Sequence, residues 1–403
     1  MSLADLDIQV SETERAVRDT AHRFAAEVMR PAGIELDKLP AEDVINQGSI
    51  LWDVIKQYNQ LGFDDLIPTD DVSGQELEQA RIRYITSEEM GWGDAGLAIT
   101  FGVAGFPRMM ADLSGNQELI DLVSNNITGC WAITEPDHGT DTLDFHGGLL
   151  ADGHEHGKPN LIAHLKGDDF ILQGQKSSWV SCGSIAEAAA LFCAADMGGK
   201  ALQHGVFVVP LNLPGISRGK ALEKIGQRAL NQGEIFFDEV KIPKSYMVVP
   251  PEGYAMATQL VLTNANTGMG TLFAGTARAA LELAIDYANE RKQGGVPIIQ
   301  HQSVKARLFE MFRQVEAARS LNRDVVLSNV FNEPRLEYAI ASKVTSTRTA
   351  FEVASEALQI FGGNGTSREY PIEKIFRDAR SSMIEDGCNY VLGLIAGGRL
   401  ASD

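Results

Sequence analysis

Cysteine is scarce in this chain, with four in 403 residues. Cys130, Cys182, Cys193 and Cys388 are scattered, which excludes a CxxC metal or redox pair and a disulfide framework and fits reduced thiols in a cytoplasmic setting. Positive charge is scarce too: 35 Lys and Arg stand against 54 Asp and Glu, for a formal net charge of -19. Nucleic acid and anionic membrane surfaces are polyanions that need clustered basic residues, so neither is an expected partner. No apolar run reaches the ~18 residues of a membrane-spanning helix, and the opening MSLADLDIQVSETERAVRD lacks the apolar core and basic flank of a signal peptide. No GxGxxG follows a strand in a βαβ setting, which argues against a nicotinamide dinucleotide.

What the chain does have is a large apolar fraction, 44%, enough for two or three domains with a substantial core. Helical texture occupies both ends and strand texture the middle. SETERAVRDTAHRFAAEVMRPAGIELD begins with a capping Ser11 and repeats apolar positions at three- and four-residue steps until Pro31, where the pattern predicts a break. CWAIT, DFILQGQKSSWV, AALFCAA, HGVFVVPL and GEIFFDEVKIP are short runs rich in Val, Ile, Phe and Trp between turn residues, and they predict strands. From Pro251 long helical patterns return, with small residues at intervals, as where long helices pack closely. The expected organisation is α+β: a helical domain over 1–128, a β domain over 129–246 and a helical domain over 247–403.

HGGLLADGHEHGKPNLIAHLKGDD breaks this rhythm and holds four of the eight histidines. His154 and His156 form an HxH pair, but a metal site needs further ligands and a supporting outer shell. The flanking Gly, Asp and Lys make the insertion over 146–164 a solvated loop, and no metal is expected.

Three stretches carry the chemistry. CWAITEPDHGTD, Cys130 to Asp141, sets hydroxyls and backbone amides beside a glycine turn, an arrangement able to hold phosphate or ring heteroatoms. In GQKSSWVSCGS, Trp179 and Ser181 occupy alternate positions, which on a strand face the same way. LQIFGGNGTSREYPIEKIFRDARSSMIEDG joins a helix, a glycine-rich turn and a second helix. With RKQGG at Arg291 and the following HQ, these stretches in this order resemble the acyl-CoA dehydrogenase family of flavoproteins, whose patterns run TEP-x-x-G-S/T-D, W-I-T-N-G, R-K-x-F-G with H-Q, Q-x-x-G-G-x-G with E-Y-P and R-D, and E-G-T. The resemblance covers nearly the whole chain. It implies an N-terminal helical domain, a central β-barrel-like domain, a C-terminal four-helix bundle, FAD as cofactor, an acyl-CoA substrate, an electron-transfer flavoprotein as partner and a homotetramer.

Carried over by motif, the resemblance implies that Trp131, Ile133, Thr134, Gly139 and Thr140 line the flavin and its pyrophosphate. Trp179 and Ser181 would sit against the isoalloxazine, with the Ser181 hydroxyl near N5. Arg291, Gln302, Gln359, Gly362 and Gly363 would reach the FAD of an adjacent subunit, and Cys388 and Tyr390 join the cofactor-binding set. RKQGG lacks the usual aromatic at Gly294, and Cys388 stands where the family has Thr.

In MIEDG the residue before the glycine is Asp386, the position of the family's catalytic glutamate. A base there removes a proton from an acyl thioester while a hydride leaves the neighbouring carbon, and a water-excluded pocket raises a carboxylate from its reference of ~3.9. By the resemblance, the base's own backbone N–H and a ribityl hydroxyl polarise the thioester carbonyl. Asp is one methylene shorter than Glu, and a displacement of ~1 Å can cost on the order of a hundredfold in rate. Family members with Asp here act on alicyclic carboxyl-CoA thioesters, some at a γ carbon, or oxidise nitroalkanes, so an atypical cyclic or branched acyl group is expected. Where other members keep a base on an earlier helix, this chain has Ala265 and Asn266, which supply none. The competing readings are a nitroalkane-oxidase-like flavoprotein or non-redox elimination enzyme on the same fold, and a catalytically silent assembly subunit.

Overall fold

The computed structural model of the protein describes residues 10–63, 76–123, 127–143 and 157–401. Eight helices come first: α1 (Glu12–Phe24), α2 (Arg30–Leu36), α3 (Ala41–Val44), α4 (Ile50–Leu61), α5 (Glu76–Gly93), α6 (Ala95–Ala104), α7 (Phe106–Ser114) and α8 (Gln117–Leu122). Ser11 caps α1 in a reciprocal box, its Oγ accepting from Glu14 N at 3.1 Å while Glu14 Oε2 accepts from Ser11 N at 2.8 Å. The expected break at Pro31 does not occur. A π-helical turn, Ala25–Met29, joins α1 to α2 and places Pro31 in the first turn of α2, so the missing proline N–H falls where the π turn has already shifted the hydrogen-bond ladder.

The strands are β1 (Gly129–Ala132), β2 (Leu161–Lys166), β3 (Asp169–Lys176), β4 (Ala188–Asp196), β5 (Gln203–Pro210), β6 (Ile216–Arg218), β7 (Ile235–Pro243) and β8 (Met247–Val249). They form one sheet in the order β6-β7-β3-β2-β4-β5-β8, with β1 parallel to β4. The path is open, so among the described residues the barrel-like expectation reduces to an open sheet. β1 pairs with Ala188 to Leu191 and β2 with Ala194 to Asp196, so they lie end to end along β4. β2 corrects the loop reading of LIAHLK: Leu161 and Ala163 alternate into the core with half-buried Ile162 and His164 between them, a period hidden by the polar residues around it. β8 continues the sheet beyond 246, the position expected to end the β domain.

The remaining helices are α9 (Pro251–Glu290), α10 (Gln302–Phe331), α11 (Leu336–Phe361), α12 (Ile372–Ser382) and α13 (Asn389–Leu400), with a small hairpin of β9 (Lys292–Gln293) and β10 (Val296–Pro297) between α9 and α10. α9 packs on both α11 and α5. The crossing with α5 is possible because both helices carry glycine there: a Cβ on Gly275 would lie 1.9 Å from the Glu88 carbonyl oxygen, and one on Gly91 1.9 Å from that of Leu272.

Beside this crossing, buried charges lock the two helical domains together. Arg278 on α9 pairs with Glu88 and Glu89 of α5, the second at 2.6 Å, and Arg319 of α10 reaches Glu88 at 3.0 Å. Burial alone would raise Glu88, but Arg278 and Arg319 outweigh it and hold it down at about 2. Its contribution to stability is therefore complete above the ordinary glutamate range and is lost as the pH falls through that range toward 2. Arg278→Met leaves two buried carboxylates short of a partner. It is expected to cost about 3–5 kcal/mol, measured by chemical denaturation at neutral pH.

Candidate active site

β1 delivers the first group of predicted residues. Past Ala132 the chain leaves β4 and doubles back at Glu135, whose N–H and C=O both bond to His138, at 2.8 and 3.2 Å. The turn is anchored from beneath by Lys176, wholly buried, which donates to the carbonyls of Ile133 and Phe192 and to Glu135 Oε1 at 2.7 Å. One lysine thus satisfies three buried oxygens and holds Ile133 and Thr134 at the strand end. Gly139 N donates to Asp141 Oδ1 at 2.6 Å, and a Cβ on Gly139 would meet nothing within 4 Å, so this glycine turn is open on its outer side.

Trp179 and Ser181 do not lie on a strand as expected. β3 ends at Lys176, and Ser177 then turns the chain, its Oγ accepting from Trp179 N at 3.2 Å. Gln232 holds the two residues instead: its Nε2 donates to the Trp179 carbonyl at 3.0 Å and to Ser181 Oγ at 3.3 Å. Trp179 is left 58% exposed, a large apolar surface left open by the described residues.

The acid lies in the loop between α12 and α13. Asp386 has φ of 51° and Gly387 of 94°, so the two make a left-handed reversal that only the glycine adopts without cost. Lys343 on α11, also wholly buried, donates to the Gly387 carbonyl at 2.8 Å and to Asn389 Oδ1 at 2.7 Å. Asn266 Nδ2 on α9 reaches the Asp386 carbonyl at 3.4 Å. Cys388 N donates to Thr140 Oγ1 at 3.3 Å, which ties the acid-bearing loop to the TEPDHGTD loop of the β domain. Part of the surface of Glu385 and Asp386 is open, yet their carboxyl groups lie deep among protein atoms. Burial pushes Asp386 up from the usual aspartate range against the pull of Lys343. Glu385 is pushed to about 7, first by burial and then by Asp386, with Gln227, Lys224 and Lys343 opposing.

Residues 130–240 match the family model described as acyl-CoA dehydrogenase, middle domain, and residues 252–401 the one described as acyl-CoA dehydrogenase, C-terminal domain. Together they span well over half of the chain. The chain belongs to the acyl-CoA dehydrogenase family. The short-chain specific acyl-CoA dehydrogenase of Bos taurus mitochondria is 27% identical over 98% of this chain and 91% of its own length. The benzylmalonyl-CoA dehydrogenase of Aromatoleum aromaticum is 26% identical over 98% of this chain and all of that relative. The solved structure of butyryl-CoA dehydrogenase from Megasphaera elsdenii superposes with a TM-score of 0.83 at 26% identity, covering 98% of this chain and 100% of that one. The fold is therefore the acyl-CoA dehydrogenase fold, and the protein is an oxidoreductase of acyl-CoA with FAD as cofactor.

The residues present fit FAD. Trp131 Nε1 is buried and has no hydrogen-bond partner among the described residues, an orphaned donor of the kind a ligand acceptor satisfies. Trp179 offers an uncovered ring face, and the Gly139 turn leaves room for a backbone approach. The second predicted group gathers at one end of the bundle. Arg291 caps α9, Gln302 opens α10, and Gln359, Gly362 and Gly363 close α11. Tyr287 ties these ends together by stacking on Phe361 at 4.0 Å and accepting from Asn364 Nδ2 at 2.9 Å. All five predicted residues are exposed, and among the described residues no hydrogen bond joins them to the β1 loop. Tyr390 is exposed as well, at the first turn of α13. His154 and His156 lie outside the described residues; among the described residues no cluster of three His, Cys, Asp or Glu could hold a metal ion.

Sequence reasoning missed Lys343, Lys224, Gln227 and Gln232. Only Lys343 left a legible signal: it shares the apolar face of Leu336 and Ile340 at three- and four-residue steps, where a cation is out of place without a buried partner. Lys343→Met is expected to push the Asp386 carboxyl higher, and Lys343→Arg to restore it in part. NMR titration of the side-chain carboxyl carbons in each variant measures this.

Proposed function

We propose that the protein is an FAD-dependent dehydrogenase of an atypical, cyclic or branched acyl-CoA, with Asp386 as the base and an electron-transfer flavoprotein as the electron acceptor. The observation that carries this reading is the Cys388–Thr140 hydrogen bond, because it sets the only acid that precedes a glycine in the family's pattern against the loop that fits the cofactor. When bound, FAD supplies the acceptor for the hydride that leaves the substrate. Asp386 does the proton work. Its burial keeps water away and raises its affinity for a proton, while Lys343 keeps enough of it ionised to act as a base. By the family resemblance the Asp386 N–H, in the left-handed turn with Gly387, is the donor to the thioester oxygen.

The shorter side chain supports the unusual acyl group. The turn is held by Lys343, Asn266 and Thr140 from three separate elements, so it cannot simply shift to recover the missing methylene. Asn266 lies where other members carry a base, and it spends its amide on the carbonyls of Leu262 and Asp386. A substrate whose acidic hydrogen sits closer to the loop meets the geometry instead. The benzylmalonyl-CoA dehydrogenase relative, whose name gives a substituted acyl group, supports the same direction. The exposed set at the end of the bundle supports FAD shared with a second copy of the chain, as in a homotetramer.

Anaerobic titration of the FAD-loaded protein with straight-chain, branched and alicyclic acyl-CoAs tests this. Flavin bleaching by one of these groups is expected, and Asp386→Asn should slow it by roughly 10²- to 10⁴-fold, the range of a positioned general base. Absence of bleaching by every thioester overturns the dehydrogenase reading in favour of nitroalkane or elimination chemistry.

A further inference from the structure

The turn that carries Gly139 and Thr140 contains a titratable group that the proposed chemistry leaves unused. The His138 side chain is 10% exposed, and both of its ring nitrogens meet acceptor oxygens. Nδ1 lies 2.8 Å from Asp141 Oδ2, and Nε2 lies 3.0 Å from the Lys158 carbonyl. A neutral imidazole carries one N–H, so one of these contacts would set a lone pair against a lone pair. The imidazolium donates to both. Burial alone would lower His138, but the bonds to Asp141 and the Lys158 carbonyl, with the charges of Asp141 and Glu135, outweigh it and hold it above the ordinary histidine range.

The two partners come from separate stretches of chain. Asp141 follows the turn itself, while Lys158 belongs to the histidine-bearing insertion, beyond His154 and His156. Gly157 packs on the ring, where an added Cβ would lie 3.4 Å from His138 Cε1. Asn160 extends the seam: its N–H donates to Glu135 Oε2 at 2.5 Å, its Oδ1 accepts from Asp137 N at 2.9 Å, and its Nδ2 donates to Asp137 Oδ2 at 2.8 Å. Glu135 is pinned from the other side by Lys176 of β3. The ionisable groups of this seam, among the described residues, are Glu135, Asp137, His138, Asp141, Lys158 and Lys176. Of these side-chain types, histidine is the one that changes charge near neutral pH.

We propose that His138 is a doubly donating imidazolium that positions the flavin-binding turn, matching the Asp141 charge beside Gly139 and tying the turn to the insertion at Lys158. It is a positioning residue, and its role rests on the assignment of Gly139 and Thr140 to the FAD pyrophosphate. Asp141 Oδ1 takes the Gly139 N–H at 2.6 Å, so an unmatched carboxylate there would repel an anionic pyrophosphate. Loss of the His138 proton uncovers that charge and breaks one of the two bonds together. A histidine held above its ordinary range contributes fully below that range, and the contribution is lost as the pH rises through and beyond it. FAD is therefore held more weakly at high pH.

Two measurements on the FAD-loaded protein test this. Nitrogen NMR of histidine-labelled protein counts the N–H groups on His138, and recovered flavin fluorescence follows FAD release from about pH 6 to 9. Two N–H groups are expected at the acid end, with release in the wild type accelerating roughly two- to fivefold as the pH rises, the size of a partly exposed charge contact. His138→Gln should release FAD fast at every pH. His138→Arg, a fixed cation with donors for both acceptors, should release it slowly at every pH, a rescue that a merely space-filling histidine would not give. A single N–H on His138 at about pH 6, or a pH slope that survives His138→Gln, overturns the proposal. Gly139→Ala separates this from the assignment of the turn, because the added carbon meets no other protein atom within 4 Å. Unchanged release in Gly139→Ala sinks the placement of FAD at the turn; faster release there, with no pH slope in the wild type, sinks the role of His138 alone.

Discussion

The bond from buried Lys343 to the Gly387 carbonyl is the contact on which the shape of the site depends. A left-handed pair of residues is unfavourable for Asp386 and persists because its surroundings leave it no alternative. Lys343 supplies the anchor, Asn389 spreads it to Thr347 through a 2.9 Å hydrogen bond, and Asn266 and Thr140 hold the two flanks. The same lysine also sets the charge balance of the carboxylates it does not touch. The position of the turn and part of the charge balance thus depend on one buried cation whose own affinity for a proton is lowered by burial.

The same device recurs wherever the domains meet. Arg278 and Arg319 join α5 to α9 and α10. Lys374 joins α12 to Asp94 at the head of α6. Arg377 of α12 clasps Asp37 at the end of α2, with Oδ2 at 2.6 Å, while Arg228 of the β domain donates to the Asp37 carbonyl at 3.0 Å. A buried pair gives little net stability over an apolar substitute, but a misaligned one is expensive because it strands a charge. At seams between packed layers, that penalty selects one alignment. Among the described residues the pair at Glu385 and Asp386 differs, because Glu385 receives an uncharged amide from Gln227 rather than a direct cation, and it lies where proton transfer is proposed.

Much of this architecture was legible. The capping box at Ser11, the strand runs and the long C-terminal helices follow from local propensity, and the small residues of α9 foretold the close crossing at Gly275. The failures have distinct causes. Pro31 does not end its helix because a π turn re-registers it. LIAHLK was passed over because two polar positions in six residues and a polar flank dilute a period of two. Trp179 left the strand because Ser177 offered the backbone a competing turn. The open sheet was beyond reach, since closure depends on strands that pair far apart in sequence.

The sequence by itself determined the three textures, the order of the motifs that mark the family and the identity of the acid before Gly387, because each is written in contiguous residues. Tertiary structure alone decided what surrounds that acid. Lys343 is 44 residues from the carbonyl it holds, and Gln227 is 158 from the carboxylate it meets. Local patterns register propensity over a few turns of chain. The partner of a buried charge is chosen by packing between distant segments.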